Sequence, residues 1–326
     1  MTIREATPED NGALIALECR VPLVVGDTEE FFDRSPDYFA NQRLHREYRT
    51  VVAEADGRII GVTAGLIHTP LIQGVPHRLV YIHRGRVQPD FHGRGVAFAL
   101  SAALFRWSAR HGSEGPYYLI SPDNSRSIAF GGRAGRRWPV DVALLSFDVS
   151  AAEGSQPETL PSAMLADAVR LINASHSGRD FFELVTLDSM TSRLNRDPQY
   201  TLDHIFGVRD GGALVAVAGL CDKGASTERT HVDSATGATA RTREAVVVDW
   251  GWAPGHEVAF AGLLRSLAVR ARSLERDVVT ICEPARGACP APGLPAQTAP
   301  AALFTPAMDP PDAGSIVGVY FDLLFL

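Results

Sequence analysis

The sequence predicts a mixed α/β fold, an α+β arrangement of helices on mixed sheets, laid down twice along the chain. Three observations predict it. Short apolar runs bounded by turn residues mark strands at "RTVVAEADGRIIGVTAGLIH" and "RLVYIHRGRV". Apolar positions Val96, Leu100, Ala103, Leu104 and Trp107 recur at helical spacing, so a helix is expected from Val96 to Arg110. Finally, "FGVRDGGALVAVAGL" and "VVVDWGWAP…EVAFAGLLRSLAVRA" echo "VVAEADGRIIGVTAGL" and "VYIHRGRVQP…GVAFALSAALFRWSA", which reads as a duplication.

The elements follow in order. "TIREATPED" gives a strand and then a helix start, with Thr7 as N-cap and Pro8, Glu9 and Asp10 in the first turn. A helix through "NGALIALECR" follows. Asp56-Gly57 joins two strands as a hairpin turn. "YYLIS" is a strand, "SRSIAFGGRAG" a short helix ending near Gly135, and "VALLSFDV" a closing strand. The first unit is expected to span 1–150. Residues 151–163, rich in Pro, Ser and Ala, read as a linker, and 164–326 as the second unit. The endings "SFDV" and "YFDL" correspond. "RGACPAPGLPAQTAPAALFTPAMDPPDAG" is expected to be a long irregular loop.

At 326 residues the chain has the length of two ordinary domains. A net charge of -7 argues against a nucleic-acid binder, since phosphate neutralisation needs a basic surface. Cys19, Cys221, Cys282 and Cys289 form no paired framework, so reduced thiols are expected. The acidic N-terminus lacks a secretory pattern, and no apolar run is long enough to span a bilayer. A cytoplasmic protein without membrane attachment is expected, and a homodimer is possible.

The stretch "VQPDFHGRGVAFAL" carries the chemistry. A strand running into a Gly-rich turn that opens a helix aims several backbone N–H groups and the positive helix end at one point, which favours phosphate. His92 and Arg94 add charge-assisted donors. The second copy keeps strand and helix but has only Gly255, His256 and Glu257 between Pro254 and Val258, and Glu257 repels anions there. The loop is neither a P-loop nor a dinucleotide fingerprint.

It resembles motif A of the GNAT superfamily of acyl-CoA-dependent N-acyltransferases, written as Gln or Arg, then x-x-Gly-x-Gly or Ala. Here the pattern reads His92-Gly93-Arg94-Gly95-Val96-Ala97 after the strand end "VQP", with His92 departing from the usual first residue. "TIREATPED" is similar to the family's first strand and helix, and "DNSRSIAFGGRAG" to its later asparagine-containing motif. The resemblance covers residues 2–149. It implies two tandem GNAT-like domains, a catalytic one at 1–150 and a degenerate one at 164–326. It also implies a splayed strand whose backbone around Arg86, Val87 and Pro89 pairs with pantetheine, residues His92 to Ala97 holding the pyrophosphate, and Asn124 and Ser127 on the cofactor side. Acetyl-CoA or another acyl-CoA would be the co-substrate, a small-molecule amine the acceptor, and no metal is needed.

The resemblance places the general base four or six residues before Val87, at His83 or Tyr81. Histidine's pKa suits proton removal near neutrality; alternatively His83 only bonds a backbone carbonyl. The family's acid tyrosine falls on Gly131, so Tyr117, Tyr118, Ser121, Ser125 or water is left for that role. The acceptor segment would be "CRVPLVVGDTEEFFDRSPDYF". Its Asp27, Glu29, Glu30, Asp33 and Asp37 either attract a cationic amine or form a solvated helix face, and Phe31, Phe32, Tyr38 and Phe39 line a pocket or pack the core. Cys19 is read as structural, and Asp249, Trp250 and Trp252 mirror the catalytic strand without a phosphate loop. The terminal "VYFDLLFL" is a minor candidate for delivering the chain's C-terminal carboxylate. An acyl-carrier-protein or aminoacyl-tRNA donor, and a non-catalytic CoA-binding sensor or scaffold, are the other functions compatible with these residues.

Overall fold

The computed structural model describes residues 1–139, 141–284, 292–305 and 318–325. The chain opens with β1 (Thr2–Glu5), a 3-10 turn at Pro8–Asp10 and α1 (Asn11–Glu18). The Asp10 carboxylate accepts the Thr7 N–H at 2.8 Å, fixing the entry to the turn. There follow β2 (Leu23–Val25), β3 (Thr28–Asp33), β4 (Tyr48–Ala55), β5 (Arg58–His68), β6 (Leu71–Ile72), β7 (Val75–Pro76) and β8 (Leu79–Val87). Then come α2 (Val96–Arg110), β9 (Gly115–Ile120), α3 (Ser125–Ala134), β10 (Arg136–Arg137) and β11 (Val142–Asp148). The second half runs α4 (Leu165–Ser175), α5 (Leu187–Leu194), β12 (Ile205–Asp210), β13 (Ala213–Cys221), β14 (Glu228–Asp233) and β15 (Thr239–Thr242). It ends with β16 (Glu244–Trp252), α6 (Glu257–Ser273), β17 (Val278–Pro284) and β18 (Ala296–Thr305).

Local signals set these elements where expected. Asp56 and Gly57 both adopt positive φ (50° and 69°), the turn whose twist matches a hairpin, and join β4 to β5. Helix α2 buries Val96, Leu100, Leu104 and Trp107. Val80 and Ile82 of β8 pack with that face, whereas Leu79 and Tyr81 point to the opposite face.

One sheet runs through both halves in the order β1-β4-β5-β8-β9-β18-β11-β17-β16-β13-β12. The pairs β8–β9 and β16–β17 are parallel, and the other pairs along this order are antiparallel. The halves exchange strands: β18 inserts between β9 and β11, while β11 lies between β18 and β17. Two expectations are corrected here. The Pro- and Ala-rich segment is not all loop, because Ala296–Thr305 is a central strand whose Ala301, Ala302, Leu303, Phe304 and Thr305 are buried. Its composition hid the strand, and Pro300, which cannot donate to a ladder, is the last exposed residue before the buried run. Residues 286–291 and 306–314 of that segment, including Cys289, lie outside the described residues. "YFDL" does not repeat the strand of "SFDV", since the slot it would fill is taken by β11.

The segment after α1 is also not helical. Leu23–Val25 and Thr28–Asp33 form a hairpin, and β3 pairs with β14 to give a second, four-stranded sheet β15-β14-β3-β2 across the halves. The Gly26 turn at φ 57° reverses the chain, and the partner strand that completes the sheet comes from about two hundred residues away.

A shared irregularity links the halves. In β8 the register against β5 slips between Ala64↔His83 and Val62↔Arg86, and Arg84 has φ 54°. In β16 the register against β13 slips between Gly219↔Val248 and Val217↔Gly251, and Asp249 has φ 48°. Both are β-bulges, one residue inserted in one strand, at matching places in the repeat. In the second half the bulge is closed by charge. The Arg193 guanidinium donates to Asp249 at 2.7 Å and lies 3.2 Å from Asp322, and the Tyr200 hydroxyl donates to Asp249 at 2.8 Å.

Replacing Asp249 with Ala leaves Arg193 and Tyr200 without that buried carboxylate. Unfolding in urea should show a loss of about 3–5 kcal/mol, against less than about 1 kcal/mol for Asp167→Ala, which breaks only the exposed pair with Arg170. Similar losses for the two variants would show that the network does not hold this half.

His176 generates a pH prediction. Its Nε2–H donates to the Trp250 carbonyl at 2.8 Å and its Nδ1 accepts from Arg179 at 2.8 Å, so the Arg179 contact requires the neutral ring. Burial, then the Arg179 charge, holds its pKa well below the ordinary 6.5. The unfolded chain therefore binds the extra proton below about pH 6.5, and stability falls as pH drops, by at most about 1.4 kcal/mol per pH unit for this ring. His176→Gln should flatten the low-pH decline of Tm, and parallel curves would refute the assignment.

Candidate functional site

The site is built where β8 leaves β9. Their parallel pairing runs only through Leu79↔Gly115, Val80↔Pro116 and Tyr81↔Tyr117, so beyond Tyr81 β8 has no strand partner on that side among the described residues. The bulge at Arg84 turns His83, Arg84 and Arg86 toward the face that carries α1, where Val62, the partner of Arg86, packs with Leu14, Leu17 and Tyr38. A splayed, bulged strand is what the resemblance implied for the pantetheine arm.

The strand then ends in the Gly-rich loop. Gly93 (φ 74°) and Gly95 (φ 78°) are both in the left-handed region, and a Cβ on either would meet nothing within 4 Å, so the loop is open to solvent. Gly95 is the N-cap of α2. Among the described residues the N–H groups of Gly93, Arg94 and Gly95 have no acceptor, and the first turn of α2 leaves its own N–H groups free. His92 donates from Nε2 to the Val87 carbonyl at 2.8 Å and accepts from Arg126 at 3.2 Å on Nδ1, tying the loop to the start of α3. Arg94 lies over the Phe91 ring at 5.4 Å. Val96 is buried in the helix core, Ala97 is exposed, and Val87 and Pro89 lead into the loop.

Asn124 has a different task. Its side-chain oxygen accepts the Ser127 N–H at 2.9 Å and so caps α3, which accounts for both residues locally. At Gly131 a Cβ would lie 2.8 Å from Ile120 Cδ1 and 3.1 Å from Phe304 Cγ. The exchanged strand β18 thus occupies the space where the resemblance expects a tyrosine.

In the second half the corresponding helix start is satisfied internally. The Glu257 carboxylate accepts the Gly255 N–H at 3.2 Å, and backbone N–H groups, its own first and then that of Gly255, lower its pKa. An incoming anion would meet a carboxylate there. Trp250 and Trp252 stack with each other and on Phe260, as core.

His83 stacks on Tyr81 at 5.3 Å between centroids. Its ring is half-buried, but Nδ1 is wholly buried and has no hydrogen-bond partner among the described residues. Burial first, then the charges of Arg84, His45, Arg34 and Lys223, hold its pKa well below 6.5, so the ring is neutral and able to accept a proton at neutral pH. Tyr81 is buried, and burial raises its pKa well above the usual 10, which makes it a donor rather than a base. Tyr117 is buried against His68, with 2.8 Å between the hydroxyl and Nε2, and Tyr118 packs on the α2 face, away from His83. Cys19 stays protonated, since burial and then Asp33 raise its pKa.

Around His83 lie residues that strand alternation in the sequence did not single out. Glu18, fully buried, accepts from Arg34 Nε at 2.6 Å and from the Tyr38 hydroxyl at 3.3 Å. Burial opposes its ionisation, but the Arg34, Arg86 and Arg84 charges outweigh it and lower its pKa. Arg34, Arg86 and Arg229 each approach the Phe32 ring, at 5.2, 5.3 and 5.3 Å. Arg84 lies over Tyr38 at 5.4 Å. Lys223 Nζ and His45 Nε2 both donate to the Leu324 carbonyl, at 2.9 and 3.1 Å. The chain's terminal carboxylate, on Leu326, lies outside the described residues.

Three of the five acidic residues weighed for a cationic amine or a solvated face have partners of their own. Asp37 pairs with Arg43 and Glu30 with His231, while Asp33 caps the Ser35 N–H. The surface nearest His83 is cationic. The signal available in the sequence was "HRGR" itself, three ionisable side chains in four positions of an otherwise apolar strand.

Comparison with known proteins accords with this geometry. Residues 15–135 match the acetyltransferase (GNAT) family. The L-2,4-diaminobutyric acid acetyltransferase of Nocardia farcinica is 36% identical over 88 residues, which is 27% of this chain and 43% of that relative. The fold resembles Saccharomyces cerevisiae N-myristoyltransferase with bound myristoyl-CoA (TM-score 0.66, 10% identity, 95% of this chain and 84% of that one). It also resembles a GCN5-related N-acetyltransferase from Sphaerobacter thermophilus (TM-score 0.58, 15% identity, 97% and 98%). The loop, the splayed strand and the match to the acetyltransferase (GNAT) family model all fall in one segment of the chain, residues 15–135.

Proposed function

We propose that the chain is an acyl-CoA-dependent N-acyltransferase that uses acetyl-CoA and acylates the amine of a small molecule. The observation that carries this reading is the unpaired edge of β8 continuing into the N–H groups of Gly93 to Gly95 and the first turn of α2. An extended amide-bearing arm fits the first, and a pyrophosphate the second. In this reading residues 1–150 hold the donor, 151–163 connect, and 164–326 form a degenerate copy whose Glu257 excludes phosphate. Arg86, Val87, Pro89 and His92 to Ala97 contact the donor, and Asn124 and Ser127 act by capping α3 beside it. The N. farcinica relative supports an amino-bearing small molecule as acceptor.

The chemistry needs a neutral amine beside the thioester carbonyl. The C–N bond forms, the C–S bond breaks, and the amine proton passes to the neutral, half-buried ring of His83 on the splayed face. Tyr81 supports that ring by stacking and, kept a protonated phenol by burial, is the donor we assign to the departing thiolate. Gly131 rules out a side-chain acid from α3 at that position.

Acetyl-CoA at about 100 times its Kd should stabilise the wild type by about 2.7 kcal/mol, seen as a raised Tm. Gly95→Glu and Arg94→Glu, the second without backbone strain, should both abolish that shift. Retention of the shift in both variants would remove the donor from this loop.

His83→Ala should keep the acetyl-CoA shift and lower kcat by about 10²–10⁴-fold in a thiol-release assay with amines. In the wild type the acid limb of kcat/KM should lie well below pH 6.5, because burial and the neighbouring cations keep the His83 ring neutral down to there. Unchanged turnover in His83→Ala would transfer the proton to another group.

A further inference from the structure

The charge balance at the first bulge does not close. Arg34, Arg84 and Arg86 are only 7%, 8% and 8% exposed. The fully buried carboxylate Glu18 is bonded to Arg34. Arg84 donates from Nη1 to the Tyr38 carbonyl at 3.0 Å, and Arg86 donates from Nη1 to the Gly85 carbonyl at 2.9 Å. Carbonyls and ring faces orient a guanidinium but carry no counter-charge. Neither Arg84 nor Arg86 has a carboxylate partner among the described residues, and the Nε of each is buried with no hydrogen-bond partner. Burial first, then the neighbouring Arg34, lower the Arg84 pKa to about 10, and Tyr38 and Glu18 offset this only in part.

The Glu18 charge is shared among all three guanidiniums, and Glu30, which acts on Arg86, is paired with His231. Two buried guanidiniums with no bonded carboxylate are costly unless something anionic completes them. They stand beside His83 on one face of one bulged strand, so whatever completes them is next to the reacting atoms. The guanidinium fork matches a carboxylate in two-point geometry.

We propose that Arg84 and Arg86, supported by Arg34 and the Phe32 and Tyr38 rings, form an oxyanion subsite for a carboxylate on the acceptor, so that the amine acylated belongs to an amino acid. This rests on the acyltransferase reading and adds the class of acceptor to it. A diamine or an alkylamine leaves the guanidiniums uncompensated and is rejected. The other source of an oxyanion is a phosphate of the donor, which the test separates.

The test uses the full chain, acetyl-CoA and matched amines: glycine with methylamine, 2,4-diaminobutyrate with 1,3-diaminopropane, and lysine with 1,5-diaminopentane, read by thiol release. For the pair that gives the highest rate, kcat/KM should favour the carboxylated member by at least roughly 100-fold, because an analogue lacking a group the site is built to bond leaves buried donors unpaired. In Arg84→Gln that ratio should collapse toward one, in Arg84→Lys it should be partly kept, and both variants should retain the acetyl-CoA shift in Tm. Equal rates for carboxylated and carboxylate-free amines, or no turnover of any carboxylated amine while acetyl-CoA still raises Tm, would overturn the subsite. Loss of the acetyl-CoA shift in both Arg84 variants, with a folded far-UV spectrum, would assign the guanidiniums to donor phosphate and also overturn it. No acetyl-CoA shift in the wild type would instead defeat the underlying acyltransferase reading.

Discussion

The bulge at Arg84 is the constraint on which the rest of the molecule depends. A residue with positive φ in the middle of a strand shifts register by one, and one step is enough to change which face every later side chain meets. Because of it, β8 stops following β9 after Tyr81, and a polar backbone edge is left unpaired inside a twelve-stranded sheet. That edge, the loop after it and the ionisable run His83-Arg84-Gly85-Arg86 all occupy one short stretch of chain. Donor contact, proton acceptor and buried charge are therefore set by the same local deformation.

Exchange of strands between the halves supplies the enclosure. With β18 inserted beside β9, Phe304 fills the space over Gly131, and the second half becomes part of the wall of the first. The hairpin of β2 and β3 is locked by β14, which brings Phe32 and Arg34 over the bulge and Arg229 against the same ring. Thr227 accepts from Arg34 at 3.1 Å, and Lys223 reaches the Leu324 carbonyl. The cationic face is thus assembled from segments nearly two hundred residues apart, and neither half would bury it alone.

This explains which features were legible in the sequence. The hairpin at Asp56-Gly57, the span of α2 and the Gly-rich loop depend on neighbours within a few residues, and local rules described them. His83 was legible as a candidate because it sits at a fixed offset from the loop. Arg34, Arg84 and Glu18 were not, since polar residues on a strand ordinarily face water and only a bulge plus a distant hairpin buries them. The hairpin itself was read as helical because "TEEFFD" shows no strand alternation and its pairing partner, β14, lies about two hundred residues away. Ala296–Thr305 was read as loop because Pro and Ala composition says nothing of a slot opened by another half of the chain.

The two bulges, compared, show why one copy of the repeat is a site and the other is core. In the second half the bulge residue is Asp249, and Arg193, Tyr200 and a helix-start carboxylate at Glu257 satisfy every charge from within. In the first half the bulge residue is Arg84, whose one hydrogen-bond partner among the described residues is a carbonyl, and the helix start presents N–H groups with no acceptor among them. The backbone is the same, so backbone strain does not separate them. What separates them is compensation: buried charge and unpaired donors are tolerated at an energetic cost only where a ligand restores the balance. An anion at Arg84 would also offset the cations that depress His83, raising the basicity of its ring when the acceptor is in place. Recognition of the acceptor and readiness of the base would then be one electrostatic event.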